Sequence, residues 1–410
     1  MRKATLALAF QLACAGPGSK EPERPDESEE KDEKEMPTPV KTYGDDLAFL
    51  DEHQDVIELS DPEGVARVAV VAEYQGRVMT STSGGAPGPS FGWLNRAAIA
   101  SKERKPHINA LGGEDRFWLG PEGGQFSIFF APGDPFDLEH WQTPEPIDWG
   151  PWEVVERSPS EVRFRKSIEL VNYAGTKLSL EASRVIRMVK PEASATEAVA
   201  YESENTITNT GENAWTKDTG LLSIWILGMF NPSPSTTVVI PFVAGPEAEL
   251  GPVVNDAYFG KVPAERLVIG EGVLYFRGDG QERGKIGIPR KRAVPTMGSY
   301  DAEGQVLTVV EYSLPADAAD YVNSMWEISD SPYAGDVVNS YNDGPPAPGA
   351  PPLGPFYELE SSSPGAELAP GESLTHVHRT LHFRGHEAQL DAVARKALGV
   401  SIADITAAFP

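Results

Sequence analysis

Cysteine is almost absent from this chain of 410 residues, because Cys14 is the only one. A disulfide needs two cysteines, so the chain has no internal disulfide, and no thiol nucleophile is available after residue 14. Basic residues are also scarce: 35 Lys and Arg stand against 61 Asp and Glu, which gives a net charge of −26 at pH 7. This deficit argues against nucleic acid as a partner, since there is no basic stripe to neutralise phosphates.

Motifs of several common enzyme classes are missing as well. The chain contains no G-x-S-x-G nucleophile elbow, no phosphate-binding glycine loop and no H-E-x-x-H zinc motif. Serine-hydrolase, phosphate-binding and metalloprotease signatures therefore give no lead to the function.

The N-terminus has the pattern of a secretory signal. Arg2 and Lys3 precede a largely apolar stretch, Ala4–Ala13, which is too short to span a bilayer. Cys14 follows directly, with small residues after it, and this arrangement resembles the acceptor site of a bacterial lipoprotein. We predict a signal peptide over residues 1–14, lipid modification of Cys14 and a cell-envelope location, periplasmic or as an outer-membrane lipoprotein. A plain secretory signal cut nearby is the alternative.

Residues 15–42 form an acidic, proline-containing segment with few apolar side chains. Such a composition cannot bury enough apolar surface to fold, so we predict a disordered tether. The tether would hold the folded domain away from the membrane, and the lipid anchor is the only membrane contact that we expect.

From residue 43 onward the sequence is rich in β-branched residues and in alternation with period two. More than a dozen such segments, separated by turn residues, predict an all-β fold in which antiparallel sheets pack as a sandwich. Asp45–His53 and His386–Leu398 are the segments that predict helices, the second because its apolar residues recur with the helical period. No linker interrupts the pattern, so we predict one domain over residues 43–410 that ends in a short helix.

Four blocks of the sequence are distinctive: GRVMTSTSGGAPGPSFGWLN (Gly76–Asn95), LGGEDRFWLGPEGGQFSIFF (Leu111–Phe130), DVVNSYNDG (Asp336–Gly344) and GPFYELESSSPGAELAPGESLTHVHRTLHF (Gly354–Phe383). Together they resemble a bacterial domain family of uncharacterised function within the galactose mutarotase-like superfamily. The resemblance covers roughly residues 45–385, and the order of the blocks is more specific than any one of them.

The resemblance implies a β-supersandwich with a few short helices and a sugar-sized cleft on a concave sheet. Members of the superfamily include aldose epimerases, sugar-phosphate epimerases, and domains of lyases and hydrolases. A familiar epimerase uses a glutamate on a late strand as base and a histidine as acid. This chain lacks the usual mid-chain epimerase histidines, so the resemblance leaves the reaction open.

Two pairs of residues near the C-terminus are candidates for catalysis. Glu358 and Glu360 alternate along one predicted strand and share a face, and His376 and His378 share a face of the next strand. A carboxyl group and an imidazole on one cleft could act as base and acid. The alternatives are a polar sheet surface or a His-x-His metal site completed by a glutamate. We predict acid-base catalysis without a metal or other cofactor.

Candidates for substrate binding lie mostly in the middle of the chain. An arginine offers a rigid fork of donors, and an indole can pack on the apolar face of a sugar ring. Internal ion pairs, turn chemistry and loop packing are the structural alternatives for the same residues. The predicted substrate-binding residues are Arg116, Trp118, Glu114, Asp343, Asn95, Arg96 and His140.

These patterns predict a carbohydrate-active protein of the cell envelope. The leading hypothesis is an enzyme of epimerase, hydrolase or lyase type, with aldose epimerase-like chemistry among the options. The alternative is a non-catalytic lipoprotein that binds glycans. In both cases the expected ligand is a carbohydrate, and the sequence leaves the sugar and the oligomeric state open.

Overall fold

Strands dominate the part of the chain that the computed structural model describes, which comprises residues 41–191, 197–347 and 349–409. The strands within these ranges are β1 (Val56–Ser60), β2 (Arg67–Val71), β3 (Arg77–Thr82), β4 (Arg116–Gly120), β5 (Glu153–Arg157), β6 (Glu161–Val171), β7 (Lys177–Met188), β8 (Glu197–Asn209), β9 (Ser223–Phe230), β10 (Thr236–Pro241), β11 (Leu267–Ile269), β12 (Val273–Arg277), β13 (Gly284–Pro289), β14 (Thr296–Asp301), β15 (Val306–Tyr312), β16 (Asp336–Asn342), β17 (Tyr357–Ser362) and β18 (Ser373–Arg384). The prediction of an all-β fold is confirmed.

The helices in the same ranges are short. They are α1 (Tyr43–His53), α2 (Arg96–Ser101), α3 (Glu145–Asp148), α4 (Glu247–Leu250), α5 (Glu387–Leu398) and α6 (Ile402–Ala407). The two predicted helical segments are thus found as α1 and α5. α5 ends at Leu398 and is capped by Gly399, whose φ of 74° is in the left-handed region that glycine favours. None of these described helices is long and apolar enough to cross a bilayer.

The predictions for the N-terminus concern residues that lie outside the described ranges. These predictions are the signal peptide over residues 1–14, the lipid on Cys14 and the tether up to residue 40. They stay predictions, as does the extent of the single domain proposed for residues 43–410.

The strands form three antiparallel sheets. The largest has ten strands in the order β11-β12-β10-β14-β15-β18-β8-β7-β6-β5, the second has five in the order β13-β16-β17-β9-β4, and the third consists of β1, β2 and β3. β17 and β18 are consecutive in the chain but belong to different sheets. Because of this crossover, the polar side chains of β17 and β18 do not lie on the surface of one sheet.

Apolar side chains from both large sheets fill the space between them. Phe117 and Ile226 of the five-stranded sheet belong to the same buried cluster as Leu180 and Ile207 of the ten-stranded sheet. Burying one such side chain stabilises the fold by about 1.5–3 kcal/mol. The two sheets therefore pack face to face, as a sandwich does.

The two C-terminal helices cover the opposite face of the ten-stranded sheet. Leu390 and Leu398 of α5 lie in one buried cluster with Leu307 and Val309 of β15. The ten-stranded sheet is thus covered on both faces in this region, whereas the outer face of the five-stranded sheet carries a different layer of side chains.

Alternation along β17 divides its side chains between two environments. Tyr357 and Leu359 belong to the apolar cluster between the sheets. Glu358 and Glu360 point the other way, because successive side chains of a strand lie on opposite faces. β17 is paired on both sides, with β16 and with β9, so its two carboxyl groups lie near the middle of the five-stranded sheet.

Candidate functional site

A cavity of about 360 Å³ lies on the outer face of the five-stranded sheet, and we call it the sheet cavity. Small-molecule sites typically have volumes of about 300–1,000 Å³. Its floor consists of Arg116, Trp118, Trp225, Leu227, Met229, Lys285, Tyr341 and Glu358. Its walls consist of His107, Ile108, Ala110, Glu122, Leu138, Trp141, Phe259, Arg283, Trp326, Asp343, Gly344, Pro346, Pro351, Leu353 and Phe356.

Arg116 and Glu358 form an ion pair in the floor of the sheet cavity. β9 separates their strands, β4 and β17, and Nη2 of Arg116 reaches across it to Oε1 of Glu358 at 3.0 Å. The two side chains are only 3% and 7% exposed. The guanidinium group also lies 4.2 Å from the ring centre of Trp118. These contacts fix the Glu358 carboxyl group at the surface of the cavity.

A second ion pair lies directly behind the first. Glu360 is fully buried, and its Oε2 accepts hydrogen bonds from Nζ of Lys285 at 3.1 Å and from Nε1 of Trp225 at 2.9 Å. The ammonium group of Lys285 lies 4.7 Å from the ring centre of Trp225. Glu360 therefore holds two residues of the cavity floor in place without bordering the cavity itself.

Lys285 and the carboxyl groups around it have shifted pKa values. Burial raises the pKa of Glu358 to about 8, against the effect of Arg116 and with a further contribution from Glu360. Burial also raises the pKa of Glu122 on the wall, although Lys285 opposes it. Burial works to lower the pKa of Lys285, but Glu360 and then Glu122 hold it above the usual value. The pKa of Glu358 thus lies well above that of an ordinary carboxyl group, so this group can take up a proton near neutral pH.

Indole rings form a large part of the cavity surface. Trp118 has its ring centre 5.5 Å from that of Trp225 and 6.5 Å from that of Trp141, and Trp141 stacks on Trp326 at 6.1 Å. Nε1 of Trp118 and Nε of Arg116 are buried and have no hydrogen-bond partner among the described residues. Buried donors are normally satisfied, so these two donors beside the cavity are exceptions to that rule.

Asp343 connects the floor of the cavity to its wall. Its Oδ1 accepts a hydrogen bond from the Tyr341 hydroxyl group at 2.7 Å, and its Oδ2 accepts one from the backbone N–H of Gly354 at 2.8 Å. A Cβ atom at Gly354 would lie 2.1 Å from the indole of Trp93, so only glycine fits there. This contact anchors the proline-rich wall, by which we mean Pro346, Pro351 and Leu353.

Four of the predicted site residues border the sheet cavity. Arg116 and Trp118 were predicted to bind substrate, as was Asp343, and Glu358 was predicted to be catalytic. Glu360 supports them from behind through Lys285. The structure therefore brings these predicted residues together, while their roles in binding and catalysis stay predictions.

His376 and His378 lie on the other side of the five-stranded sheet, so the expectation that they share a cleft with Glu358 is wrong. Both imidazoles are buried between the sheets, where Oγ of Ser361 lies 2.8 Å from Nε2 of His376 and 2.8 Å from Nδ1 of His378. Ser361 faces inward because it alternates with Glu358 and Glu360 on β17. Within the described ranges, no group of three or more His, Cys, Asp or Glu residues is placed to hold a metal ion.

The buried imidazoles make stability depend on pH. Burial lowers the pKa of His376 to about 3 and that of His378 to about 4. Between these values and about 6.5 the unfolded chain binds more protons than the folded chain. Their contribution to the free energy of unfolding is therefore complete above pH 6.5 and is lost as the pH falls toward 4. We expect His376→Gln to reduce this loss by up to about 1.4 kcal/mol per pH unit near pH 5.

Urea unfolding of the wild type and of His376→Gln at pH 7, 6 and 5 measures how steeply the free energy of unfolding of each protein falls with pH. His140→Gln is a suitable control, because its hydrogen bond with Asp137 raises the pKa of His140 and gives a contribution of opposite sign. Equal slopes for the wild type and His376→Gln would contradict the prediction.

Glu114 was predicted to bind substrate, but it lies in the interior of the sandwich. Its carboxylate accepts hydrogen bonds from the backbone N–H and the hydroxyl group of Ser81, from Tyr201 at 3.0 Å, and pairs with Nε2 of His382 at 3.0 Å. The side chain is fully buried and does not border the sheet cavity. Glu114 precedes β4, whereas Arg116 is the first residue of that strand and borders the cavity with Trp118.

Three further predicted residues have structural partners away from the cavity. Asn95 caps α2, since its Oδ1 accepts a hydrogen bond from the backbone N–H of residue 98. Arg96 forms an ion pair with Asp46 of α1. His140 is partly exposed and pairs with Asp137 at 2.7 Å. The structural alternatives for these three residues thus fit the structure better than ligand binding.

Several residues of the cavity were not among the predicted ones. Lys285 is the most important, because it forms the ion pair with Glu360 behind the floor, and the others include Glu122, Trp225 and His107. A lysine within the otherwise apolar strand GKIGIP (Gly284–Pro289) is a signal that could have indicated it. Trp225 lies in an unbroken apolar strand and gave no such signal.

The fold and the cavity define this protein as an all-β sandwich with a ligand-sized site on its smaller sheet. The chain belongs to the Family of unknown function (DUF6786), whose model matches residues 41–409. The prediction of an uncharacterised domain family is thereby confirmed. A comparison with curated proteins finds no match.

Three solved structures illustrate what the fold is similar to. The Slr1438 protein of Synechocystis sp. PCC 6803 is 14% identical with a TM-score of 0.49, and the match covers 81% of this chain and 96% of that one. A galactose mutarotase-like protein from Lactobacillus casei ATCC 334 is 10% identical (TM-score 0.46; 80% and 100% covered). A galactose mutarotase related enzyme from Lactobacillus acidophilus is 8% identical (TM-score 0.46; 81% and 98% covered).

Proposed function

We propose that this protein is a carbohydrate-active enzyme that binds a sugar in the sheet cavity and transfers a proton through Glu358. The observation that carries the proposal is the arrangement of Glu358 and Arg116 in the floor of a cavity whose surface is rich in indole rings. Sites of this composition suit sugars, because the apolar ring face packs on an aromatic side chain while hydroxyl groups bond polar ones.

Glu358 has the properties of a proton donor. Its carboxyl group borders the cavity, and its pKa of about 8 lets it take up a proton at neutral pH and pass it to a bound sugar. The role differs from the proton acceptor expected from the sequence, because burial and Glu360 favour the neutral form. Arg116 positions the carboxyl group, and Lys285 balances the charge of Glu360. Epimerase, hydrolase and lyase reactions all use such a donor, so the proposal covers these three types.

A non-catalytic glycan-binding protein is the second candidate. One observation favours it: His376 and His378, the expected partners of the glutamates in proton transfer, are outside the cavity. A binding protein needs the indole rings and Arg116 but no second titrating group. Turnover separates the two candidates, whereas binding alone does not.

Export to the cell envelope is also part of the proposal. Its support is the N-terminal sequence: the basic residues, the short apolar stretch and Cys14. A lipid-anchored protein with a sugar site would act on carbohydrates outside the cytoplasm.

A screen of the purified full chain tests the proposed function. We expect a glycan array to show selective binding of a carbohydrate, and reducing-sugar and proton NMR assays to show its conversion. Arg116→Lys should weaken binding, because an ammonium group cannot keep both the contact with Glu358 and the stacking on Trp118. Binding without conversion would favour the second candidate, and the absence of any carbohydrate ligand would contradict both.

A further inference from the structure

A second cavity of about 340 Å³ lies beside the sheet cavity, and we call it the side cavity. The two cavities have four lining residues in common, namely Leu138, Phe259, Arg283 and Trp326. The side cavity adds Tyr258, Met325 and Glu327. Because the shared residues form a common boundary, a ligand in the sheet cavity would be next to the side cavity.

The boundary carries large apolar side chains that the protein leaves exposed. Leu138 is 58% exposed and Phe259 is 41% exposed. The guanidinium group of Arg283 lies 3.7 Å from the ring centre of Phe259, so a flat cationic group and an aromatic ring are stacked at this point. Exposed apolar surface beside a cavity is typical of a site that a ligand covers.

The floor of the side cavity is held rigidly. The Tyr258 hydroxyl group donates a hydrogen bond to Oδ2 of Asp336 at 2.6 Å and accepts one from Nδ2 of Asn339 at 3.2 Å. Nζ of Lys285, in the floor of the sheet cavity, lies 5.4 Å from the Tyr258 ring centre. The floors of the two cavities therefore adjoin, and the side cavity exists before any ligand binds.

We propose that the side cavity is a subsite for a second sugar unit, so that the ligand is an oligosaccharide or the end of a glycan chain. This inference rests on the proposed function and extends it by naming the class of ligand. A single sugar in the sheet cavity would contact Phe259 and Leu138 from that cavity only and would leave their faces toward the side cavity uncovered. A linked unit would cover them and place its hydroxyl groups near Arg283 and Glu327.

Titration calorimetry on the full chain with sugars of increasing length tests the proposal. The probes are glucose, maltose and maltotriose; galactose and galactobiose; and N-acetylglucosamine, chitobiose and chitotriose. In a series that binds, we expect the disaccharide to bind at least about tenfold more tightly than the monosaccharide. Glu327 lines the side cavity but not the sheet cavity, so Glu327→Ala should remove most of this gain and leave the affinity for the monosaccharide unchanged. Phe259→Ala should remove the gain as well.

Ile269→Ala is the matched control, because Ile269 is 50% exposed on an edge strand of the ten-stranded sheet and should not affect any affinity. Equal affinities for monosaccharide and disaccharide in the wild type would overturn the subsite while leaving the proposed function intact. A loss with Glu327→Ala that is the same for both lengths would overturn it too. If no probe of any length bound, the proposed function and the subsite would both be rejected.

Discussion

Glu358→Gln is expected to lower turnover by at least about a hundredfold while the affinity for the sugar changes little. A general acid typically contributes about 10²–10⁴-fold in rate. The amide keeps the size of the side chain and can still accept a hydrogen bond from Arg116, but it has no proton to transfer at neutral pH. Steady-state rates and titration calorimetry on the sugar found by the screen measure the two effects separately.

The pH profile of turnover gives a second measure of the same role. If Glu358 donates a proton, activity should be present below its pKa of about 8 and decline as the pH rises through that value. Glu169→Gln is the matched control, because Glu169 is exposed on β6. Full activity in Glu358→Gln would remove Glu358 from the mechanism and favour the glycan-binding protein.

The largest loss of stability is expected from Arg184→Met. Nη2 of Arg184 lies 2.6 Å from Oδ1 of Asp115, and both side chains are completely buried. Arg184 also donates hydrogen bonds to the backbone oxygen of Gly76 and to Asn205. Methionine would leave the Asp115 carboxyl group buried without a partner, which costs about 3–5 kcal/mol in comparable cases. Urea unfolding at pH 7 measures the loss.

The exposed ion pair of Arg165 with Glu153 offers a control of the same chemical type. Their side chains are 47% and 61% exposed, so Arg165→Met should change the free energy of unfolding by less than about 1 kcal/mol. Asp115→Asn added to Arg184→Met should restore part of the stability, because it removes the unpaired charge. A loss for Arg184→Met as small as that for Arg165→Met would show that the buried pair is not important for stability.

The strands were predictable from the sequence because alternation and β-branching are local signals. The pairing of strands is not local. β17 lies between β16 and β9, and the segment after it crosses to the other sheet before β18 begins. Two consecutive strands with polar faces suggested one shared cleft, and only the tertiary structure shows that they belong to separate sheets.

The non-local pairing of strands also explains why the structure brings only some of the predicted site residues together. That Glu358 and Glu360 share a face follows from period two, and this part of the prediction agrees with the structure. The imidazoles of His376 and His378 lie between the sheets and contact Ser361. Ser361 is on the face of β17 opposite to that of Glu358 and Glu360. Lys285 pairs with a glutamate 75 positions later in the chain, and no short motif contains both residues.

The anchoring of the proline-rich wall has a consequence for how this family diversifies. Gly354 cannot be replaced without displacing Trp93, and its N–H holds Asp343, so the junction with β17 is constrained. Pro346 and Pro351, on the cavity side of this anchor, line the sheet cavity. Substitutions, insertions or deletions there would reshape the entrance while Arg116 and Glu358 keep their positions. Under the proposed function, preference for one glycan over another would therefore evolve in this short stretch, independently of the stability of the sandwich beneath it.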